Sequence, residues 1–123
     1  MGLWYEKEAY KIVGACMEVH RNLGRGFNEV VYKDALEIEF NGLKIPFERE
    51  RRYDVLYKGV KLPHFYVADF VLFDTIILEA KAVECLTQSH VKQTFNYLAA
   101  SGLHLGLLVN FGEDSLKSQR IVL

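Results

Sequence analysis

The stretch that decides the fold is Val67-Ala68-Asp69-Phe70-Val71-Leu72-Phe73-Asp74-Thr75-Ile76-Ile77-Leu78-Glu79-Ala80-Lys81. It predicts two strands, over residues 65–73 and 75–82, joined by a short turn at Asp74. Apolar residues occupy both faces of both strands, which is typical of central strands that are covered on each side by other elements. The stretch therefore predicts the middle of a sheet with helices on both faces.

Three charged residues, Asp69, Glu79 and Lys81, interrupt these otherwise apolar strands. Alternate residues of a strand share a face, so Glu79 and Lys81 are expected to point the same way. The turn at Asp74 folds the chain back and brings Asp69 beside Glu79, give or take one position. The sequence therefore predicts one charged site inside apolar surroundings.

Two interpretations explain why carboxylates lie where a core is expected. An unpaired buried carboxylate costs several kcal/mol, and two adjacent ones repel each other. A salt bridge to Lys81 compensates one acid and leaves the second unexplained. A divalent cation such as Mg²⁺ or Mn²⁺ compensates both, because hard oxygen ligands suit these metals. The residues alone leave the two interpretations open.

The rest of the chain alternates helical and extended patterns. Apolar residues at steps of three or four predict a first helix over residues 5–23. A second helix, capped by Asn28, runs to about Phe40, and a third spans 88–101. A further strand is expected at 45–56 and is followed by a hairpin turn at 57–59. Others are expected at 105–110 and, as an edge strand, at 119–122. The predicted order is α-α-β-β-β-β-α-β, an α/β fold with a mixed central sheet flanked by helices.

Composition limits the possible classes of protein. The chain has 123 residues, of which half are hydrophobic and a quarter charged, so one globular domain over 1–123 is expected. No apolar run is long enough to span a membrane, and residues 1–10 carry no signal-peptide core, which favours a cytoplasmic protein. The net charge of −1 argues against a strongly cationic nucleic-acid binder, although a local basic stripe can still bind phosphate.

The charged site also matches a known pattern. The spacing Asp69, nine residues, Glu79-x-Lys81 resembles the PD-(D/E)XK nuclease superfamily, with Ala68 where the name of the pattern has proline. A second match lies in Gly26-Phe27-Asn28-Glu29-Val30-Val31-Tyr32, which reads G-x-x-E-x-x-Y. Together with residues 20–24, 93–98 and 106–112, it resembles the prokaryotic GxxExxY family, placed within the same superfamily. The resemblance covers residues 12–123.

The resemblance implies roles for several residues. Asp69 and Glu79 would hold Mg²⁺ or Mn²⁺, and Lys81 would act beside the attacking water. Glu29 would be a further metal ligand, although its position also suits a solvated residue in a first helical turn. Gln93 would orient groups of the site, against an ordinary polar role on the third helix. Candidate contacts to substrate, each with a structural or packing alternative, are His20, Tyr32 and Tyr97.

The predicted function is therefore Mg²⁺-dependent hydrolysis of nucleic acid, by an endo- or exonuclease acting on DNA rather than RNA, by family analogy. A homodimer is expected to enlarge the small footprint of the chain on a duplex. One alternative is a nucleic-acid-binding or accessory protein that keeps the fold without cleaving. Another is a structural or interaction domain whose charges form a static buried network.

Overall fold

The computed structural model describes residues 4–123, which form three helices and five strands. Their order is α-α-β-β-β-α-β-β. The elements are α1 (Glu6–Leu23), α2 (Glu29–Gly42), β1 (Phe47–Tyr57), β2 (Val60–Leu72), β3 (Ile76–Lys81), α3 (Gln88–Ser101), β4 (Leu105–Asn110) and β5 (Lys117–Val122). No helix of this part of the chain is long and apolar enough to cross a bilayer.

The five strands form one mixed sheet in the order β1-β2-β3-β4-β5. Neighbouring strands are antiparallel except for β3 and β4, which are parallel. A parallel pair needs a crossover, and α3 supplies it between β3 and β4. β1 and β5 are consequently the edge strands of the sheet. The predicted α/β class, with a mixed sheet flanked by helices, is confirmed.

Side-chain alternation on the central strands divides the core into two layers. Ile76, Leu78 and Ala80 of β3 pack with α1 and α2, whereas Ile77 packs with α3 on the opposite face. β4 follows the same rule, with Leu107 on one face and Leu108 on the other. The sheet is thus buried on both faces, as the nearly continuous apolar runs predict.

The predicted order of elements is wrong in one respect, because it places four strands rather than three before the third helix. The predicted segments also leave residues 60–64 outside any strand, between the turn at 57–59 and the strand that begins at 65. In the structure β2 runs through this segment. Asp54 pairs with Phe65 and Leu56 pairs with Lys61, so three residues of β2 oppose one of β1. This bulge accommodates Pro63.

Local signals at the ends of elements agree well with the structure. Gly102 ends α3 in the left-handed conformation with φ of 76°. Thr87 begins the same helix as one half of a capping box, in which the His90 side chain accepts from the Thr87 amide. Lys58 and Gly59 both have positive φ, which suits the two-residue hairpin turn between β1 and β2.

Candidate functional site

The backbone pairing of β2 with β3 ends next to Asp69 and Glu79. The side chains of these two acids accept hydrogen bonds from backbone amides that have no partner in the ladder. The last regular pair is Phe70 with Leu78, so Asp69 comes next to Glu79. The Asp69 amide donates to Oε2 of Glu79 at 2.8 Å, and the Ala80 amide donates to Oδ2 of Asp69 at 2.9 Å. The two strands therefore separate at Asp69 and Glu79. Each carboxylate accepts a hydrogen bond from a backbone amide of the opposite strand.

Both acids are buried, but only one of them has a positively charged partner in the protein. Asp69 is 8% exposed and Glu79 only 1%. Oδ1 of Asp69 lies 3.2 Å from Nζ of Lys33, which reaches the site from α2. Among residues 4–123, no lysine, arginine or histidine forms an ion pair with Glu79. Glu79 is thus the acid that lacks a protein counter-ion.

The electrostatics of the site reflect this difference. Burial raises the pKa of Glu79 to about 8, and the charge of Asp69 adds to the rise; the Asp69 amide and the charges of Lys81 and Lys33 oppose it. Burial lowers the pKa of Lys33, but the hydrogen bonds and charges of Glu50 and Asp69 outweigh it and raise that pKa overall. The site as a whole therefore favours an additional positive charge beside Glu79.

Lys33 and Glu50 are site residues that sequence reasoning missed. Nζ of Lys33 bridges Oε1 of Glu50, at 3.0 Å, and Oδ1 of Asp69. Glu50 lies across from Asp69 on β1 and has φ of 57°, a left-handed conformation that is rare in a strand. The available signal was helical spacing, since Lys33 follows Glu29 by four residues and shares its face.

Lys81 is on the same face of β3 as Glu79, but it pairs with neither acid. Its Nζ donates to Oε1 of Gln93 on α3 at 3.0 Å. The salt-bridge interpretation of the sequence assigned the wrong lysine, because the cation that pairs with an acid is Lys33. Lys81 therefore keeps a partly exposed charge, held in place by a neutral amide, at the end of β3.

Tyr97 lies one helical turn after Gln93 and borders the same site. Its pKa is raised, first by burial and then by the negative charges of Glu79 and Asp69, with smaller contributions from Glu29 and Glu50. All four acids thus act on one phenol.

Within residues 4–123, no three His, Cys, Asp or Glu side chains are grouped closely enough to hold a metal ion. Glu29 accordingly stands apart from the Asp69–Glu79 pair.

His20 and Tyr32 have structural contacts away from the two acids. Tyr32 is completely buried, stacks on Phe111 and donates to the carbonyl of Gly24 at 2.6 Å. Nε2 of His20 lies 2.8 Å from the carbonyl oxygen of Glu113. These contacts tie α1 and α2 to the segment after β4. They favour the packing alternative for Tyr32 and the structural alternative for His20.

Asn110 fixes the segment that follows Lys81. It pairs with Lys81 across the parallel strands. Its side-chain oxygen accepts from the amides of Val83 and Gly112, both at 3.0 Å, and its side-chain nitrogen donates to the carbonyl of Val83 at 2.9 Å. This buried amide thus holds the end of β3, and with it Lys81, against the end of β4.

The sequence profile of the PD-(D/E)XK nuclease superfamily matches residues 6–121. The chain belongs to this superfamily. The resemblance seen in Asp69, Glu79 and Lys81 is thereby confirmed at superfamily level, and membership of the narrower GxxExxY family stays a prediction. The PD-(D/E)XK pattern falls on two adjacent strands, β2 and β3, at the point where their ladder ends.

Two solved structures resemble this PD-(D/E)XK chain. The crystal structure of SSO0001 has a TM-score of 0.55 and 15% identity, over 98% of this chain and 78% of that one. The alkaline exonuclease LHK-Exo from Laribacter hongkongensis has a TM-score of 0.50 and 15% identity, over 99% of this chain and 72% of that one. At such identities the likeness is one of fold. No curated protein sequence matches the chain significantly.

PD-(D/E)XK nucleases generally use divalent metals, and the residues of this chain fit such an ion. Asp69 and Glu79 supply hard carboxylate oxygens from adjacent strands, and Glu79 lacks a counter-ion. Two protein carboxylates suit Mg²⁺ in particular, since it keeps several of its waters and needs few protein ligands. The raised pKa of Glu79 is the expected property of a carboxylate arranged to face an added cation.

Replacement of Glu79 by glutamine is expected to stabilise the chelator-treated protein at pH 8 by at least about 1 kcal/mol, the value of one pKa unit. The folded-state pKa of about 8 lies above the usual 4.5, so the stability that protonation contributes is complete below about pH 4.5 and is lost as the pH rises to 8. Glutamine does not ionise, so the stability of the variant does not fall in this way as the pH rises. Its side-chain oxygen can still accept the hydrogen bond from the Asp69 amide.

Thermal melts at pH 4.5 and pH 8 with EDTA measure this effect. The melting temperature of the variant should exceed that of the wild type at pH 8, by more than it does at pH 4.5. Glu84→Gln, at an exposed position after β3, is the matched control and should change neither value. A Glu79→Gln protein that melts below the wild type at pH 8 would show that the carboxylate is already compensated within the protein.

Proposed function

We propose that the protein is a metal-dependent nuclease that hydrolyses phosphodiester bonds of nucleic acid. The observation that carries this proposal is the convergence of buried Asp69 and Glu79 with Lys81 and Gln93 at one end of β3, in a PD-(D/E)XK chain. The similarity in fold to LHK-Exo, an alkaline exonuclease, supports it further. A static network would leave Glu79 without a counter-ion and with a raised pKa, which is why we favour the metal interpretation.

Asp69 and Glu79 would hold Mg²⁺ or Mn²⁺ in this proposal. Such an ion, when bound, polarises a phosphoryl oxygen and lowers the pKa of a bound water. Lys33 is the resident counter-ion of Asp69 and balances part of the negative charge of the site. Glu29 would contribute from the first turn of α2, as the family resemblance implies, through movement or through an intervening water.

Lys81 would stabilise the negative charge that develops at the phosphate during attack. Its ammonium is a compact positive charge without a carboxylate partner, so it is available to substrate. Gln93 would orient this ammonium through the 3.0 Å bond to its Nζ. The phenol of Tyr97 is protonated at physiological pH, as an ordinary tyrosine is, and its raised pKa maintains that state. Its hydroxyl is therefore a donor for a phosphate oxygen.

The proposal extends to the kind of substrate and to assembly. We favour DNA over RNA by analogy with the superfamily alone. A homodimer would let two sites act on the two strands of a duplex, which the small footprint of one chain favours. His20 and Tyr32 are not needed for this chemistry, since their contacts in the fold account for them.

Purified protein incubated with labelled DNA and RNA in Mg²⁺, Mn²⁺ or EDTA tests the proposal. Cleavage that requires metal, and that favours DNA, is the expected result. Calorimetry with Mn²⁺ should show binding in the wild type and none in Asp69→Asn, whose side-chain oxygen can still accept from the Ala80 amide. Binding of nucleic acid without cleavage of DNA or RNA under any metal would instead identify an accessory protein.

A further inference from the structure

The β1–β2 hairpin continues well beyond the body of the sheet. β3 pairs with β2 only at residues 70–72, so residues 60–67 of β2 have β1 as their sole strand partner in the described chain. We call residues 51–67 the arm. From Asp69, Phe65 is four residues away and Val60 nine, or about 13 Å and 30 Å at the rise of a strand. The arm therefore begins at the acidic site and extends away from it.

The arm has a charge opposite to that of the chain. It carries four basic residues, Arg51, Arg52, Lys58 and Lys61, against the single acid Asp54, whereas the whole chain has a net charge of −1. Asp54 is paired with Arg52 at 3.0 Å and with Lys61 at 3.3 Å. An excess of positive charge on one protruding hairpin is complementary to a phosphate backbone.

Exposed aromatic rings lie among these cations. Tyr57 is 60% exposed and Phe65 51% exposed. The guanidinium of Arg52 lies 3.9 Å from the centre of the Phe65 ring, and Nζ of Lys58 lies 5.5 Å from that of Tyr57. Rings that are exposed beside cations are the usual stacking platforms for unpaired bases, because every base offers a π-face whatever the sequence.

One face of the arm packs against the helix that borders the catalytic groups. Tyr66 lies on the face of β2 opposite to Phe65, and its ring packs edge-to-face on Tyr97 with centres 5.7 Å apart. Val55 and Tyr66 of the arm line a shallow cleft together with Asn96 and Ala100 of α3. Since α3 also carries Gln93, which binds Lys81, these contacts hold the arm against the helix that borders the site.

We propose that the arm binds a single-stranded segment of the nucleic-acid substrate, with Tyr57 and Phe65 stacking on bases and Arg52, Lys58 and Lys61 contacting phosphates. This inference rests on the proposed nuclease function, because the strand bound by the arm would belong to the nucleic acid that is cleaved at the acidic site. The rings of the arm would then meet the strand several nucleotides away from the scissile phosphate. A chain of near-neutral charge thereby gains a local site for a polyanion.

Fluorescence anisotropy in EDTA, with a labelled single strand of 20 nucleotides, tests the arm without cleavage. Tyr57→Ala and Phe65→Ala should each weaken binding of this 20-mer roughly ten-fold. Lys58→Ala combined with Lys61→Ala should reduce the dependence of 20-mer affinity on salt. The matched controls are Tyr10→Ala, an exposed tyrosine of α1, and Lys7→Ala combined with Lys11→Ala; both should bind as the wild type does.

Hydrolysis of bis(p-nitrophenyl) phosphate with Mn²⁺ separates this proposal from the nuclease proposal. This substrate is too small to reach the arm, so the arm variants should hydrolyse it at the wild-type rate. If the wild type binds the 20-mer through the arm but hydrolyses neither substrate, the nuclease proposal fails and the proposal of strand binding by the arm stands. Unchanged 20-mer affinity in the ring variants, or an equal loss of duplex affinity, would overturn the stacking proposal.

Discussion

Replacement of Lys81 by methionine is expected to reduce metal-dependent cleavage by about 10²–10³-fold, the usual cost of removing one donor aimed at developing charge. Methionine keeps the length and apolar stem of the side chain and removes only the ammonium. Because Lys81 pairs with Gln93 and not with an acid, its loss should change the melting temperature little. Mn²⁺ binding should not weaken, since the positive charge that is removed repels the metal. Single-turnover cleavage, thermal melts and calorimetry measure the three quantities.

Lys33→Met is the informative control for this prediction, because both lysines border the same acids. Its loss removes the partner of Asp69 and Glu50, so the chelator-treated protein should be destabilised by about 1–3 kcal/mol. Cleavage in excess Mg²⁺ should fall by less than about ten-fold. If Lys33→Met abolishes cleavage while Lys81→Met does not, the two lysines have the opposite roles and our assignment is wrong.

Replacement of Gly112 by alanine is expected to destabilise the protein by about 3 kcal/mol, at the upper end of the range for overpacking. An added Cβ would lie 2.2 Å from the carbonyl oxygen and 2.5 Å from the amide nitrogen of Val83. These are backbone atoms that Asn110 holds in place by hydrogen bonds, so they cannot move aside cheaply. The melting temperature should fall by roughly 10 °C.

Gly14→Ala is the matched control, because a Cβ at Gly14 of α1 meets nothing within 4 Å. Alanine favours a helix over glycine, so this variant should be as stable as the wild type or more stable by up to about 1 kcal/mol. Gly112→Ala should also lower cleavage, since displacement of Val83 moves the end of β3 and with it Lys81. An unchanged melting temperature in Gly112→Ala would mean that the segments after β3 and β4 can move apart without cost.

The sequence predicted the fold so well because its patterns and its packing agree. Apolar residues on both faces of residues 65–82 determine a doubly covered pair of strands, and the turn at Asp74 then brings Asp69 beside Glu79. Glycine and threonine signals located the ends of α3 to the residue. The prediction left residues 60–64 outside a strand, because the bulge through which β2 continues depends on its pairing with β1 and cannot be inferred from one segment.

The counter-ion of the site could not be predicted for a similar reason. Strand alternation relates Lys81 to Glu79, since the two residues are neighbours on one strand. The contact between Lys33 and Asp69 depends on how α2 lies over the sheet, which helical periodicity alone does not determine. Glu50 likewise appeared to belong to a solvated charged strand, and only its left-handed backbone conformation directs it toward Lys33.

The edges of the sheet have a consequence for behaviour in concentrated solution. Five consecutive charged residues, 48–52, lie on the outermost strand β1, and Lys117 and Arg120 lie on β5 at the other edge. A long exposed edge is a template onto which a second chain can add its own strand, the first step of aggregation. Alternating charges oppose that addition, because each would have to be desolvated against the incoming backbone. The same residues that resemble an ordinary polar strand thus protect the molecule from joining copies of itself into fibrils.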